Sequence, residues 1–71
     1  MNASTSGHVF AVNLRNEMYR LEITQKRLAE NARVSQKEIS NVLREKTSPS
    51  LATAEKIAAA VGFALWRMLV A

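Results

Sequence analysis

Apolar residues recur at intervals of three and four positions along most of this chain, and no stretch shows the polar and apolar alternation that is typical of a strand. In the first such segment, Phe10, Leu14, Met18 and Leu21 lie on one face of a helix, and polar residues fill the opposite face. The chain is therefore expected to be all-α, and its first helix is expected to begin at Phe10.

Two capping sequences mark a second and a third helix. Thr24 is suited to cap a helix over 25–31, and Ser35 opens a helix over about 35–43, because Ser35 and Glu38 have the spacing of a capping box. Each of these helices has one apolar side, formed by Leu28, Ala29 and Ala32 in the second and by Ile39, Val42 and Leu43 in the third. The spacing thus predicts two short helices joined by a tight turn.

The turn-rich segment Thr47-Ser48-Pro49-Ser50 separates the third helix from a fourth, which Ser50 caps. Gly62 stands where a helix commonly ends in a left-handed residue, and 63–69 is expected to form a short, very apolar fifth helix. The expected inward residues of the fourth helix are Leu51, Ala54, Ile57, Ala58 and Val61. The predicted fold is a five-helix bundle with short loops.

Composition argues against a metal site, a disulfide and catalysis. The chain has 71 residues, no cysteine and a single histidine, His8, so that neither a disulfide nor a zinc finger is expected and no cofactor is implied. Aspartate is also absent, and no plausible base stands beside a nucleophile. The expected protein binds a partner and is not an enzyme.

The small polar residues 1–7 are expected to form a flexible N-terminal segment, and residues 8–71 to form the domain. The N-terminal segment lacks the charged and then apolar order of a secretory signal. The longest apolar run is shorter than the roughly 20 residues of a membrane span. A soluble, cytoplasmic protein without membrane contact is expected.

Positive charge is concentrated in the middle of the chain. The whole chain carries a formal charge of +4, and residues 24–46 hold six basic and three acidic side chains, a net charge of +3. On the third helix, Gln36, Lys37, Ser40, Asn41 and Arg44 form one polar stripe without an acidic residue, opposite the apolar side. A stripe of this kind suits the major groove of double-stranded DNA.

Residues 24–42, TQKRLAENARVSQKEISNV, resemble the helix-turn-helix of the Cro and phage-repressor (XRE-type) family. In this resemblance Gln25 opens the second helix, Ala29 is the small residue at the helix crossing, Val34 fills the turn, and Ile39 packs the recognition helix. The likeness covers about residues 9–69. It implies a lambda-repressor-like domain, with the helix-turn-helix formed by helices 2 and 3, and a bacterial or phage transcription regulator whose expected role is repression.

The polar residues of this motif are expected to divide the contacts with DNA. Amide, ammonium and hydroxyl groups can pair with base edges, so the expected base-reading residues are Gln36, Lys37, Ser40 and Asn41. The residues expected to bind the DNA backbone are Gln25 and Lys26 at the start of helix 2, and Arg44, Lys46, Thr47 and Ser48 after helix 3.

The C-terminal segment is more apolar than one short helix can bury in so small a domain. Trp66, Met68 and Val70 are therefore the expected dimer interface. The resemblance implies a homodimer on a palindromic operator, with recognition helices about 34 Å apart. The same apolar end leaves an alternative open, an antitoxin-type module that binds a partner protein.

Glu22, Arg33 and Glu45 stand where this family commonly has glycine. If the backbone keeps a positive φ at these positions, each residue costs of order 1 kcal/mol.

The centre of the core is expected to contain Leu14, Leu28, Ile39 and Ile57. Beside them, Met18 of the first helix and Leu43 of the third each need an apolar neighbour, and the two are expected to touch.

Overall fold

The computed structural model describes residues 3–63 and 65–70, and all regular structure in this part of the chain is helical. Four helices have eight residues or more, and the fifth is a single turn. None of these described helices is long and apolar enough to cross a membrane. In chain order the helices are α1 (Ala3–Leu21), α2 (Gln25–Ala32), α3 (Gln36–Leu43), α4 (Leu51–Ala60) and α5 (Leu65–Met68).

The first helix is longer than predicted. It begins at Ala3, so that residues 3–7 are helical where the composition predicts a separate flexible segment. Adding residues to an existing helix costs far less than starting one, and the helix around Phe10 therefore extends toward the N-terminus through Gly7.

The last helix is shorter than predicted. The expected helix over 63–69 is reduced to one turn, Leu65–Met68, so the described residues form an all-α fold of four full helices and a terminal turn. The amide group of Asn13 donates hydrogen bonds to the carbonyl of Met68 at 2.8 Å and to that of Val70 at 2.9 Å. These bonds attach the C-terminal residues to α1.

The core lies where α1 to α4 meet and is closed by α5. Its largest fully buried side chains are Phe10, Leu14, Leu28, Ile39, Ile57 and Met68. This set contains all four residues predicted for the centre of the core. Leu43 is also buried, and Met18 packs at the edge of the cluster, where both line one surface groove between α1 and α3.

Three apolar side chains lie elsewhere than predicted. Leu21 and Leu51 are expected to face inward, but they are 42% and 68% exposed. Each stands at a helix end, Leu21 as the last residue of α1 and Leu51 as the first of α4, where the helix has passed the edge of the core. Met68 is predicted for a dimer interface, but it is only 2% exposed and belongs to the core, because α5 packs on α1 and α4.

Each of the four full helices ends in the same kind of turn, which contains a residue of positive φ. These residues are Glu22 (φ 54°), Arg33 (φ 60°), Glu45 (φ 59°) and Gly62 (φ 86°). In each turn the next amide donates to a carbonyl five positions earlier, at 2.9–3.1 Å. This is the Schellman arrangement, in which a left-handed residue satisfies carbonyls that the helix leaves free. All three non-glycine positions therefore keep the positive φ that the family's glycines would adopt without strain.

An apolar residue anchors three of these four turns. Ile23, Val34 and Phe63 each follow a left-handed residue, and all three pack against the core cluster. Such a contact commonly accompanies the Schellman arrangement. Burial of the following side chain therefore offsets the steric cost at Glu22 and Arg33.

Leu43→Ala is expected to lower the free energy of unfolding by about 2–5 kcal/mol, because it leaves a cavity between α1 and α3. Leu51→Ala is the matched control, since it removes the same atoms from a side chain that is 68% exposed. The control should change stability by about 0.5 kcal/mol or less. Thermal unfolding followed by circular dichroism measures both variants. A Leu43→Ala protein that melts like its parent would contradict the orientation of α3.

Arg33→Gly is expected to raise the free energy of unfolding by about 1 kcal/mol, because glycine adopts a positive φ without the steric cost of a Cβ atom. Arg33→Ala is the matched control, since it removes the same charge but keeps the Cβ atom, and it should give no such gain. Urea denaturation compares the two. If the glycine variant is no more stable than the alanine variant, the left-handed conformation does not limit stability at this turn.

Candidate nucleic-acid interface

Side-chain caps define where α2 and α3 begin. The hydroxyl of Thr24 accepts a hydrogen bond from the amide of Arg27 at 3.1 Å, which caps α2. The hydroxyl of Ser35 accepts from the amide of Glu38 at 3.0 Å, and the Glu38 carboxylate accepts from the amide of Ser35 at 3.5 Å. The predicted capping box is confirmed, and it starts α3 at Gln36.

The third helix has one buried and one exposed side. Ile39, Val42 and Leu43 are buried against the rest of the domain. On the other side, Gln36 and Lys37 are exposed, and Ser40 and Asn41 are half-buried. The four predicted base-reading residues thus share the outer side of α3, as the spacing predicts.

Arg15 holds the C-terminal end of α3 in place. Its Nη2 atom donates a hydrogen bond to the carbonyl of Leu43 at 2.7 Å, which links α1 to the last residue of α3. The positive charge of Arg15 also interacts favourably with the negative C-terminal end of the helix dipole. The sequence gives no local signal for this role, because Arg15 and Leu43 are 28 positions apart and only the packing of α1 on α3 brings them together.

The residues predicted to bind the DNA backbone fall into two groups. Gln25, the first residue of α2, and Arg44, the residue after α3, line the same groove beside Arg15. The remaining residues after α3 are exposed and line a separate cleft next to the N-terminal half of α1; they are Lys46, Thr47 and Ser48. Lys26 is exposed on α2 and lines neither.

A long-range side-chain contact that the sequence alone does not predict borders this second group. His8 Nδ1 lies 3.0 Å from a carboxylate oxygen of Glu45, the left-handed residue that follows α3. The two residues are 37 positions apart, so that no local pattern could have paired them.

Among the described side chains at the C-terminal end, two apolar ones are exposed. Leu69 is 43% exposed and Val70 57% exposed, next to the backbone atoms that Asn13 binds. The guanidinium of Arg67 lies over the ring of Phe63, 5.3 Å from its centroid. Of the three residues predicted for a dimer interface, Val70 is exposed, Met68 is buried, and the side chain of Trp66 lies outside the described residues.

Comparison with known proteins places these features in a family. A family model described as Helix-turn-helix matches residues 14–65. No curated protein matches the chain. Among solved structures, the chain is similar to the crystal structure of hypothetical transcription factor NHTF from Neisseria, with 29% sequence identity and a TM-score of 0.86 over 92% of this chain and 75% of that one. Because the matched residues include the whole of α2 and α3, the chain belongs to the Cro/C1-type helix-turn-helix family.

Proposed function

We propose that this protein is a transcription regulator that binds double-stranded DNA sequence-specifically, with α3 in the major groove. The observation that carries the proposal is the division of α3 between an apolar buried side and an outer side that presents amide, ammonium and hydroxyl groups. A major groove admits one helix and presents hydrogen-bonding atoms that differ between base pairs. Membership of the helix-turn-helix family supports the same function, which is binding and not catalysis.

Base reading is assigned to the outer side of α3. Gln36 and Asn41 carry amides that can pair with adenine, Lys37 suits the acceptors of guanine, and Ser40 can donate to or accept from several bases. Glu38 does not disturb this surface, because the capping box directs its carboxylate to the Ser35 amide. The N-terminal end of α3 is therefore suited to meet the bases.

Backbone contacts are assigned to the flanking groups. Gln25 begins α2, where free amides and the helix dipole favour a phosphate. Arg44 is exposed at the opposite end of α3, and the loop 46–48 follows it with one ammonium and two hydroxyl groups. Lys26, exposed on α2, completes the set. Such contacts fix the register of a protein on the duplex without reading its sequence.

A homodimer that represses transcription from a palindromic operator is the expected working form. Leu69 and Val70 offer exposed apolar surface at the C-terminal end, and Trp66 remains a predicted member of the interface. Two-fold symmetry would place two copies of α3 about 34 Å apart, one turn of DNA. The same exposed residues also suit an antitoxin-type contact with a partner protein. The number of chains bound to each DNA duplex distinguishes a homodimeric repressor from an antitoxin-type module.

Selection of bound sequences from random duplex DNA is expected to yield a palindrome with half-sites about one helical turn apart. Affinity for the selected duplex should fall steeply with salt, because each neutralised phosphate contributes about −0.9 to the slope of log K against log salt concentration. Sedimentation should find two chains for each duplex. No enriched sequence together with no dependence on salt would rule out the regulator.

Lys37→Ala and Asn41→Ala are each expected to cost about 1–3 kcal/mol on the selected duplex and to relax the preference at one base position. Arg44→Ala should instead weaken binding to all duplexes almost equally, because a phosphate contact carries no sequence information. Affinities for a panel of single-base operator variants measure the contrast.

Lys56→Ala is the matched control for the loss of one positive charge. Lys56 is exposed on α4, outside both groups of predicted DNA contacts. Its removal should leave the base preferences unchanged. If Lys37→Ala and Arg44→Ala give the same pattern across the panel, the division between base-reading and backbone-binding residues is wrong.

A further inference from the structure

We propose that Arg15 binds a phosphate of the DNA backbone while it holds the end of α3, so that one side chain joins α3 to the duplex. The inference rests on the proposed function, which assigns Gln25 and Arg44 to backbone contacts. It adds a residue of α1 to contacts that otherwise come from α2, from α3 and from the segment after α3. Arg15, Gln25 and Arg44 line one surface groove.

The guanidinium of Arg15 keeps donors that the protein does not use. Its Nη2 atom donates to the carbonyl of Leu43 at 2.7 Å, and this side chain makes no other hydrogen bond to the described residues. A guanidinium carries more N–H donors than one carbonyl can accept, in a planar fork that suits the oxygens of a phosphate. Arg15 is also exposed. Its remaining donors are therefore available to an anion in the groove.

The groove contains positive charge that no carboxylate pairs. Its basic lining residues are Arg15, Arg20 and Arg44, and Glu22 is the only acidic residue in its described lining. Arg20 pairs with Glu17 at 2.6 Å. Neither Arg15 nor Arg44 has an ion pair with a described residue. Two guanidinium groups without an ion pair thus share the groove with one carboxylate, and a cleft with an excess of one sign of charge attracts the opposite sign.

The groove adjoins the elements that the proposed function places against DNA. The carbonyl that Arg15 binds belongs to the last residue of α3, and Arg44 is the next residue, so both guanidinium groups belong to the same end of this helix. Gln25 brings the start of α2 to the same groove. Phosphates follow both edges of the major groove, and contacts with them fix a helix in its register. A backbone phosphate is therefore the anion that this position suits.

Arg15→Gln and Arg15→Lys separate the phosphate contact from the bond to Leu43. Glutamine can still donate to the carbonyl but has no charge, and lysine keeps the charge. On the selected duplex, Arg15→Gln is expected to make the slope of log K against log salt concentration less negative by about 0.9 for each chain bound. Its affinity should be roughly tenfold lower at about 0.1 M salt, with the difference narrowing toward about 1 M. Arg15→Lys should keep the slope of the parent.

Fluorescence anisotropy with a labelled duplex measures these slopes, at a temperature where circular dichroism finds every variant folded. Arg20→Gln is the matched control, since it removes the same charge from the same helix and the same groove, but from a side chain that Glu17 already pairs. It should leave the slope unchanged. Equal slopes for Arg15→Gln and the parent would overturn the inference, because loss of a purely structural bond removes no phosphate contact.

A phosphate contact also predicts coupling to one position of the duplex. Single phosphates are replaced by neutral methylphosphonates along each strand. At one position in each half-site, the parent should lose affinity roughly tenfold and Arg15→Gln should lose little more, because the contact is already absent. Loss of the same size in both proteins at every position would overturn the contact.

Inorganic phosphate, exchanged for chloride at constant ionic strength, distinguishes a backbone phosphate from a free one. The parent should keep its affinity for the duplex, because a free anion lacks the contacts of α3. Competition that Arg15→Gln abolishes would assign the groove to a free phosphate ligand and overturn the backbone contact. Failure of the parent to bind any duplex would overturn the proposed function itself, whereas binding with an unchanged slope in Arg15→Gln overturns only the role of Arg15.

Discussion

Burial of one side of α3 is the interaction on which the rest of the structure depends. An isolated helix shorter than about 12 residues is marginal in water, and α3 has eight, so packing must supply its stability. Ile39, Val42 and Leu43 provide that packing. The same burial decides which residues remain outside, because side chains on a helix keep fixed angular positions relative to one another. The orientation of α3 therefore determines both the stability of this helix and which of its residues form the proposed DNA surface.

The turns that end the helices set the directions of the elements around α3. Three of them place a charged residue at positive φ, at a cost of order 1 kcal/mol each. Glu22 and Arg33 are compensated by the apolar residue that follows, which packs against the core. Glu45 has no such neighbour, and it contacts His8 instead. The strained turns after Glu22 and Arg33 are thus stabilised by core packing of the next residue, and the turn at Glu45 by its contact with His8.

Local chemistry made much of this architecture predictable. The caps at Thr24 and Ser35 could be predicted because each depends on residues three positions apart. The four central core residues followed from the spacing of apolar side chains. Leu21 and Leu51 were misplaced because periodicity does not reveal where a helix passes the edge of the core. The sequence predicts Met68 in an interface because it does not show that α5 packs on α1 and α4.

The amino-acid sequence was sufficient to predict the helical class, the starts of α2 and α3, and the polar stripe on the outer side of α3. These features depend on neighbours within a few positions, whose geometry the backbone restricts strongly. Only the tertiary structure decided that Arg15 binds the end of α3, that Asn13 holds the C-terminal turn, and that His8 meets Glu45. Those contacts join residues 28, 55 and 37 positions apart, and they form only after the core has brought the helices together.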